Sequence, residues 1–219
     1  MTGHAGRVGV KICGLRRPAD VDAARRAGAA WTGFVHFPRS PRHLSLPDLA
    51  TLTHGVADGP GRVALLVDPD DGTVDALAAS ARLDMLQLHG AETPGRVAAI
   101  RDRAGLPVMK AVGIRDAADV DAAAAYEDAA DWLLLDAKAP EGADRPGGNG
   151  EGFDWTLLRG RAWRRPWMLA GGLTEANVAQ AVAVSGARAV DLSSGVESAP
   201  GVKDPARIAS FCAAVHAIG

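Results

Sequence analysis

Short apolar runs alternate with alanine-rich stretches of helical character along most of this chain. Eight runs read as β-strands: Val8–Cys13, Trp31–Val35, Val63–Val67, Met85–Leu88, Val108–Val112, Trp132–Leu135, Trp167–Ala170 and Ala189–Leu192. Most are apolar almost throughout, the pattern of parallel strands covered on their outer side by helices. Helices are predicted over Pro18–Arg26, Pro47–Thr53, Thr73–Ala81, Thr93–Arg103, Ala117–Tyr126, Thr174–Val184 and Pro205–Ile218. Pro18, Pro47 and Pro205 suit a first helical turn, where a missing N–H leaves no bond unmade. In the last helix Ile208, Phe211, Cys212 and Val215 recur at the spacing of one buried face.

Strand ends follow one another every ~20 to 35 residues, about the length of one βα unit. The widest intervals place long loops at 36–46 and 137–152, both on the face where the strands end. The reading is α/β, a single (β/α)8 TIM barrel domain over residues 1–219. A doubly wound open sheet would need fewer strands and a glycine-rich phosphate loop after the first. Cys13-Gly14-Leu15-Arg16 is no such loop.

Composition narrows the partners. An apolar fraction of 47% is ordinary for a globular protein, and a formal charge of −2 argues against nucleic acid or an anionic membrane as a partner. Residues 1–9 lack the apolar core of a secretory signal, and no stretch approaches the ~18 apolar residues of a membrane span. Two cysteines are too few for a disulfide framework, so a reduced, cytoplasmic protein is expected.

Candidate chemistry gathers at the strand ends. Cys13 ends the first strand, where a thiol is either a small buried residue or a general base activated by a nearby cation. Asp136 ends the sixth, either capping the loop or serving as an acid whose apolar surroundings raise its pKa. Arg42 lies in the loop Arg39-Ser40-Pro41-Arg42-His43, suited to a bidentate grip on a carboxylate or simply part of a solvated basic loop. His89 ends the fourth strand and either touches a substrate or caps the loop. Asp191, near the end of the eighth, binds a sugar hydroxyl or braces loops.

Gly171 and Gly172 follow strand 7, and Ser193, Ser194 and Gly195 follow strand 8. Small residues at both ends allow backbone N–H groups to point at an anion, which predicts a phosphorylated small-molecule ligand. The segment 146–152, Pro-Gly-Gly-Asn-Gly-Glu-Gly, reads as a mobile flap. The histidines show no metal-ligand spacing, so no metal is expected.

Taken in order, Lys11-Ile12-Cys13-Gly14, Ser40-Pro41-Arg42, Gln87-Leu88-His89-Gly90, Leu134-Leu135-Asp136, Gly147-Gly148-Asn149-Gly150 with Phe153-Asp154-Trp155, Leu169-Ala170-Gly171-Gly172-Leu173 and Asp191-Leu192-Ser193-Ser194-Gly195-Val196-Glu197 resemble the phosphoribosylanthranilate isomerases of tryptophan biosynthesis. The resemblance runs from Lys11 to the segment Pro200–Asp204. It implies a (β/α)8 fold and a cofactor-free Amadori rearrangement. It also implies Cys13 as base, Asp136 as acid, Arg42 on the anthranilate carboxylate, and phosphate contacts at Gly171-Gly172 and Ser193-Ser194-Gly195. Monomers and homodimers both occur in that family.

Three departures stand out: Leu15-Arg16-Arg17 after the Cys-Gly, His36-Phe37-Pro38 before Ser40, and Asn149 where many members carry Thr. The sister isomerase of histidine biosynthesis performs the same rearrangement with an acidic residue in place of Cys13. A barrel that merely binds a phosphorylated metabolite would be expected to lack Cys13, Asp136 or Arg42.

Overall fold

The computed structural model describes residues 7–55, 59–139, 142, 147 and 152–218. Eight parallel strands close into a barrel in sequence order, β1 (Gly9–Ile12), β2 (Trp31–His36), β3 (Gly61–Leu66), β4 (Met85–Leu88), β5 (Val108–Ile114), β6 (Trp132–Ala137), β7 (Trp167–Leu169) and β8 (Ala189–Leu192). β8 pairs with β1 in register, Lys11 opposite Asp191 and Ile12 opposite Leu192. The predicted strands match these to within two residues at either end.

Six helices form the outer ring between strands: α1 (Pro18–Arg26), α2 (Leu46–Gly55), α3 (Asp71–Ser80), α4 (Pro94–Ala104), α5 (Ala117–Ala123) and α6 (Val178–Ser185). A seventh, α7 (Pro205–His216), follows β8. Their starts are chemically marked. Asp70, Thr93, Asp116 and Asp204 each accept an N–H of the first turn with a side-chain oxygen. Between β6 and β7 the described residues hold only a 3₁₀ turn, Trp155–Leu158.

α6 begins four residues later than the sequence suggests. Asn177 takes up the intervening turn: its side chain accepts from Thr174 N and donates to Gly172 O. The loop Gly171–Gly172 therefore sits on an Asn-braced turn and not directly at a helix start. After β8 come a 3₁₀ turn, Ser194–Val196, and a hairpin of β9 (Glu197–Ala199) and β10 (Val202–Lys203), which the apolar pattern did not reveal because they are short and largely polar.

Two apolar layers hold the barrel. One lies between sheet and helices and includes Ile12, Phe34, Leu66, Leu86, Leu133 and Phe211. The other fills the barrel interior with Val63, Met85, Met109, Leu134 and Met168, with Trp31 and Trp132 packed against it in an edge-on pair. Each buried side chain of this size contributes about 1.5–3 kcal/mol relative to exposure. Cys212 is fully buried on α7, and both cysteines are free thiols. No helix among the described residues is long and apolar enough to cross a membrane.

Candidate active site

An open cavity of about 850 Å³, counting space open to solvent, lies over the C-terminal ends of the strands. Every residue singled out in the sequence lines it: Cys13, Arg42, His89, Asp136, Asp191, Gly171, Gly172, Ser193, Ser194 and Gly195. Period-two alternation explains how. Residues of one strand two apart share a face, so Lys11 and Cys13, Leu134 and Asp136, or Ala189 and Asp191 all point inward.

Cys13 is 4% exposed, directly beyond the end of β1. The neighbouring strand carries Gly33 at the closest point, where a Cβ would fall 2.8 Å from the Cys13 sulfur and 2.9 Å from its Cα. Any side chain there would displace the thiol. Burial pushes the Cys13 thiol above its ordinary value. Lys11 opposes that, Asp191 adds to it, and Lys203 opposes it. The nearby cations that the sequence left open as activators of the thiol are thus present, with burial as the larger influence on it.

Asp136 is held at its base by the backbone. Its Oδ1 accepts from Ala137 N at 2.8 Å, and its Oδ2 lies 3.4 Å from His89 Nε2. His89 Nδ1 is in turn 3.3 Å from Gln87 Nε2. The surroundings of the carboxyl group are thus polar on one side, not apolar as the Leu-Leu-Leu run suggested. Gln87 is fully buried and its Oε1 has no partner among the described residues. On the other side Gly171, at φ +89°, lets the loop pass over Ala137, where a Cβ would lie 2.6 Å from the Ala137 nitrogen.

Arg42 is no solvated loop residue. It is 5% exposed, and its Nε and Nη2 donate to the two oxygens of Glu197 at 2.7 and 2.9 Å. Glu197 also accepts from Lys203 Nζ at 2.7 Å and from Gly201 N at 3.2 Å. Burial alone would raise the Glu197 carboxyl, but Arg42 and Lys203 hold it below the usual range. One edge of the guanidinium is used by this pair. The outer edge, formed by Nη1 and the second Nη2 proton, makes no hydrogen bond among the described residues.

Asp191 does not stand free. Its Oδ1 accepts from Lys11 Nζ at 2.8 Å, and Lys11 is wholly buried. Ser193 Oγ donates to Cys13 O at 3.0 Å and accepts from Lys203 Nζ, so the hydroxyl ties the end of β8 to the end of β1. What Ser194 and Gly195 offer an anion is their backbone N–H groups, which the 3₁₀ turn they open does not consume.

Lys11, Gln87, Glu197 and Lys203 stand in the segments that carry the family resemblance, but the sequence alone assigns none of them a role. Two left a signal: Lys11 and Gln87 are lone polar residues inside apolar strands, each two positions before a strand-end candidate, Cys13 and His89. The flap segment 146–152 lies outside the described residues except for Gly147, which lines the cavity, and Gly152. No cluster of three or more His, Cys, Asp or Glu able to hold a metal occurs among the described residues.

Comparison with known proteins agrees with this geometry. A sequence model described as N-(5'phosphoribosyl)anthranilate (PRA) isomerase matches residues 10–214. The N-(5'-phosphoribosyl)anthranilate isomerase of Cereibacter sphaeroides (strain ATCC 17029 / ATH 2.4.9) is 59% identical over 204 residues, covering 93% of this chain and 96% of that protein. The crystal structure of phosphoribosyl anthranilate isomerase from Thermotoga maritima superposes with a TM-score of 0.84 at 36% identity, covering 93% of this chain and 96% of that one. A phosphoribosyl anthranilate isomerase solved in complex with reduced 1-(o-carboxyphenylamino)-1-deoxyribulose 5-phosphate superposes with a TM-score of 0.81 at 33% identity, covering 94% and 96%. An acid and a thiol facing one cavity, in a chain matched over almost its full length, lead to one conclusion: this chain belongs to the N-(5'-phosphoribosyl)anthranilate isomerase family.

Proposed function

We propose that the protein converts N-(5'-phosphoribosyl)anthranilate to 1-(2-carboxyphenylamino)-1-deoxyribulose 5-phosphate, a step of tryptophan biosynthesis, with Asp136 as acid and Cys13 as base. The observation that carries this reading is that the thiol of β1 and the carboxyl of β6 line one cavity between two kinds of anion-binding group. Arg42 presents its outer edge to the anthranilate carboxylate. The backbone of Gly171-Gly172 and Ser194-Gly195 receives the phosphate. The substrate is thereby stretched between two fixed ends, with its ribose held over the acid and the base.

Asp136 gives a proton to the ring oxygen, the C1′–O bond breaks, and an iminium forms at C1′. That cation acidifies the C2′ proton and favours a thiolate beside it, offsetting the burial of Cys13. Cys13 removes the C2′ proton. One proton has entered at oxygen and one has left carbon, so the enaminol is an isomer of the substrate. Moving its hydroxyl proton to C1′ yields the ketone. Neither step requires a redox partner. Positioned proton transfer contributes about 10²–10⁴-fold, and orientation between the carboxylate and phosphate sites must supply more.

The test follows the loss of substrate fluorescence, with phosphoribosylanthranilate generated in situ. Turnover by wild type, with kcat reduced ~10²–10⁴-fold in both Cys13→Ser and Asp136→Asn, is the expected result. A folded wild type without turnover would overturn the reading, and normal kcat in either variant would remove that residue from its role.

A further inference from the structure

Lys11 is the one charged residue of β1, and the mechanism above gives it no task. Its side chain is completely enclosed, on the inward face two residues before Cys13. An ammonium carries three N–H donors, and hydrogen bonds to charged partners are the strong ones. One donor is anchored on Asp191 Oδ1 at 2.8 Å, across the register pair that closes the barrel. Cys13, the next residue on the same inward face, sits beyond it at the cavity floor. Elsewhere in the barrel interior Val63, Met85, Met109 and Met168 fill space without any charge. A buried lysine in that company adds desolvation cost and no packing that an apolar chain could not provide.

We propose that Lys11 is a positioning residue for the base: its ammonium, anchored by Asp191 on the same inward face, stabilises the Cys13 thiolate by its charge. The pair then acts on Cys13 in opposite senses. Lys11 favours the thiolate by its charge, and Asp191 opposes it while keeping the ammonium in place and charged. Burial alone would lower Lys11, but Asp191 and Cys13 together hold it above the usual ammonium range. The other charged and titratable groups around this cavity, among the described residues, are Lys203 of β10, Arg42 with Glu197, Asp136 of β6, His89 beyond β4 and Lys138, which pairs with Asp119. Lys203 acts on Cys13 in the same sense as Lys11, but more weakly.

The inference rests on Cys13 being the base, and a direct titration of the thiol separates the two claims. The reaction of Cys13 with iodoacetamide is followed against pH in a Cys212→Ala background, which removes the other thiol. In Lys11→Met the alkylation rate at about pH 8 should fall by about tenfold and recover at higher pH, with kcat following the same curve and KM changing less. In Asp191→Asn the midpoint should move the other way, to lower pH. A merely structural salt bridge would shift both variants in the same direction, or neither, and either result overturns the proposal. If the single variants fail to fold, the double variant Lys11→Met/Asp191→Asn leaves no unpaired charge. Its midpoint should lie above that of the wild type, and an unchanged midpoint overturns the proposal equally. A shifted titration together with undiminished turnover in Cys13→Ser would instead defeat the reading of Cys13 as base, and the catalytic role of Lys11 with it.

Discussion

The two ends of the barrel interior are built from the same strands and differ in almost everything else. Toward the N-terminal ends the inward residues are Trp31, Val63, Met85, Met109, Leu134 and Met168, and they pack as one apolar layer. One or two inward positions further along lie Cys13, Gln87, Asp136 and Asp191, lining the cavity. β6 shows the contrast within a single step, from Leu134, fully buried in the apolar layer, to Asp136, facing the cavity. Alternation decides which residues point inward. Distance along the strand decides whether the inward residue meets packed hydrocarbon or the open mouth of the barrel.

The sharpest way to break this contrast is to truncate the lower member of that step. Leu134→Ala should lower stability by about 2–5 kcal/mol through the cavity it leaves, with kcat of the folded fraction unchanged. Asp136→Asn should behave in the reverse manner, and urea unfolding beside turnover kinetics reads both. A loss of kcat in Leu134→Ala at a temperature where it is folded would mean that the two layers are mechanically coupled.

The remaining expectations concern the upper layer and then the rim. Arg42→Lys keeps the charge but loses the two-edged fork, so KM should rise by about tenfold to a hundredfold with kcat less affected, as read from substrate saturation curves. The base limb of kcat/KM should rise with pH, because only the thiolate accepts a proton. Burial holds the thiol above its ordinary value of 9.0, so that limb should still be climbing at pH 9.0. A plateau reached near neutrality would point to a different base.

Glu197 makes a prediction about stability. Its folded pKa is depressed, so its contribution is complete above its unfolded value of about 4.5 and is lost as pH falls through the lower folded value. Glu197→Gln should flatten that acid limb in thermal melts. Smallest of all, Thr93→Ala removes the N-cap of α4 on the outer ring and should cost about 0.5–2 kcal/mol in chemical denaturation, without any kinetic change.

Much of this architecture was legible in advance. Parallel strands buried on both faces must be apolar almost throughout, so Trp132–Leu135 and Ala189–Leu192 announce themselves as runs. Proline and capping residues such as Pro18, Thr93 and Asp204 mark helix starts through bonds made within a few residues. These are local properties, and a linear chain displays them. Cys13 and Asp136 could be located for the same reason, because strand ends can be counted.

What the chain could not display is who meets whom once the barrel closes. Lys11 finds Asp191 across 180 positions, and Arg42 finds Glu197 across 155. The polar side of Asp136 comes from His89, on a different strand end. Lys203 reaches Glu197 and Ser193 only because a short hairpin folds back after β8. Sequence alone determined the strands, most helix boundaries and the candidate acid and base, since periodicity and capping act over a few residues. The tertiary structure alone decided the charge around them, because desolvation and ion pairing depend on which distant groups share an enclosed space.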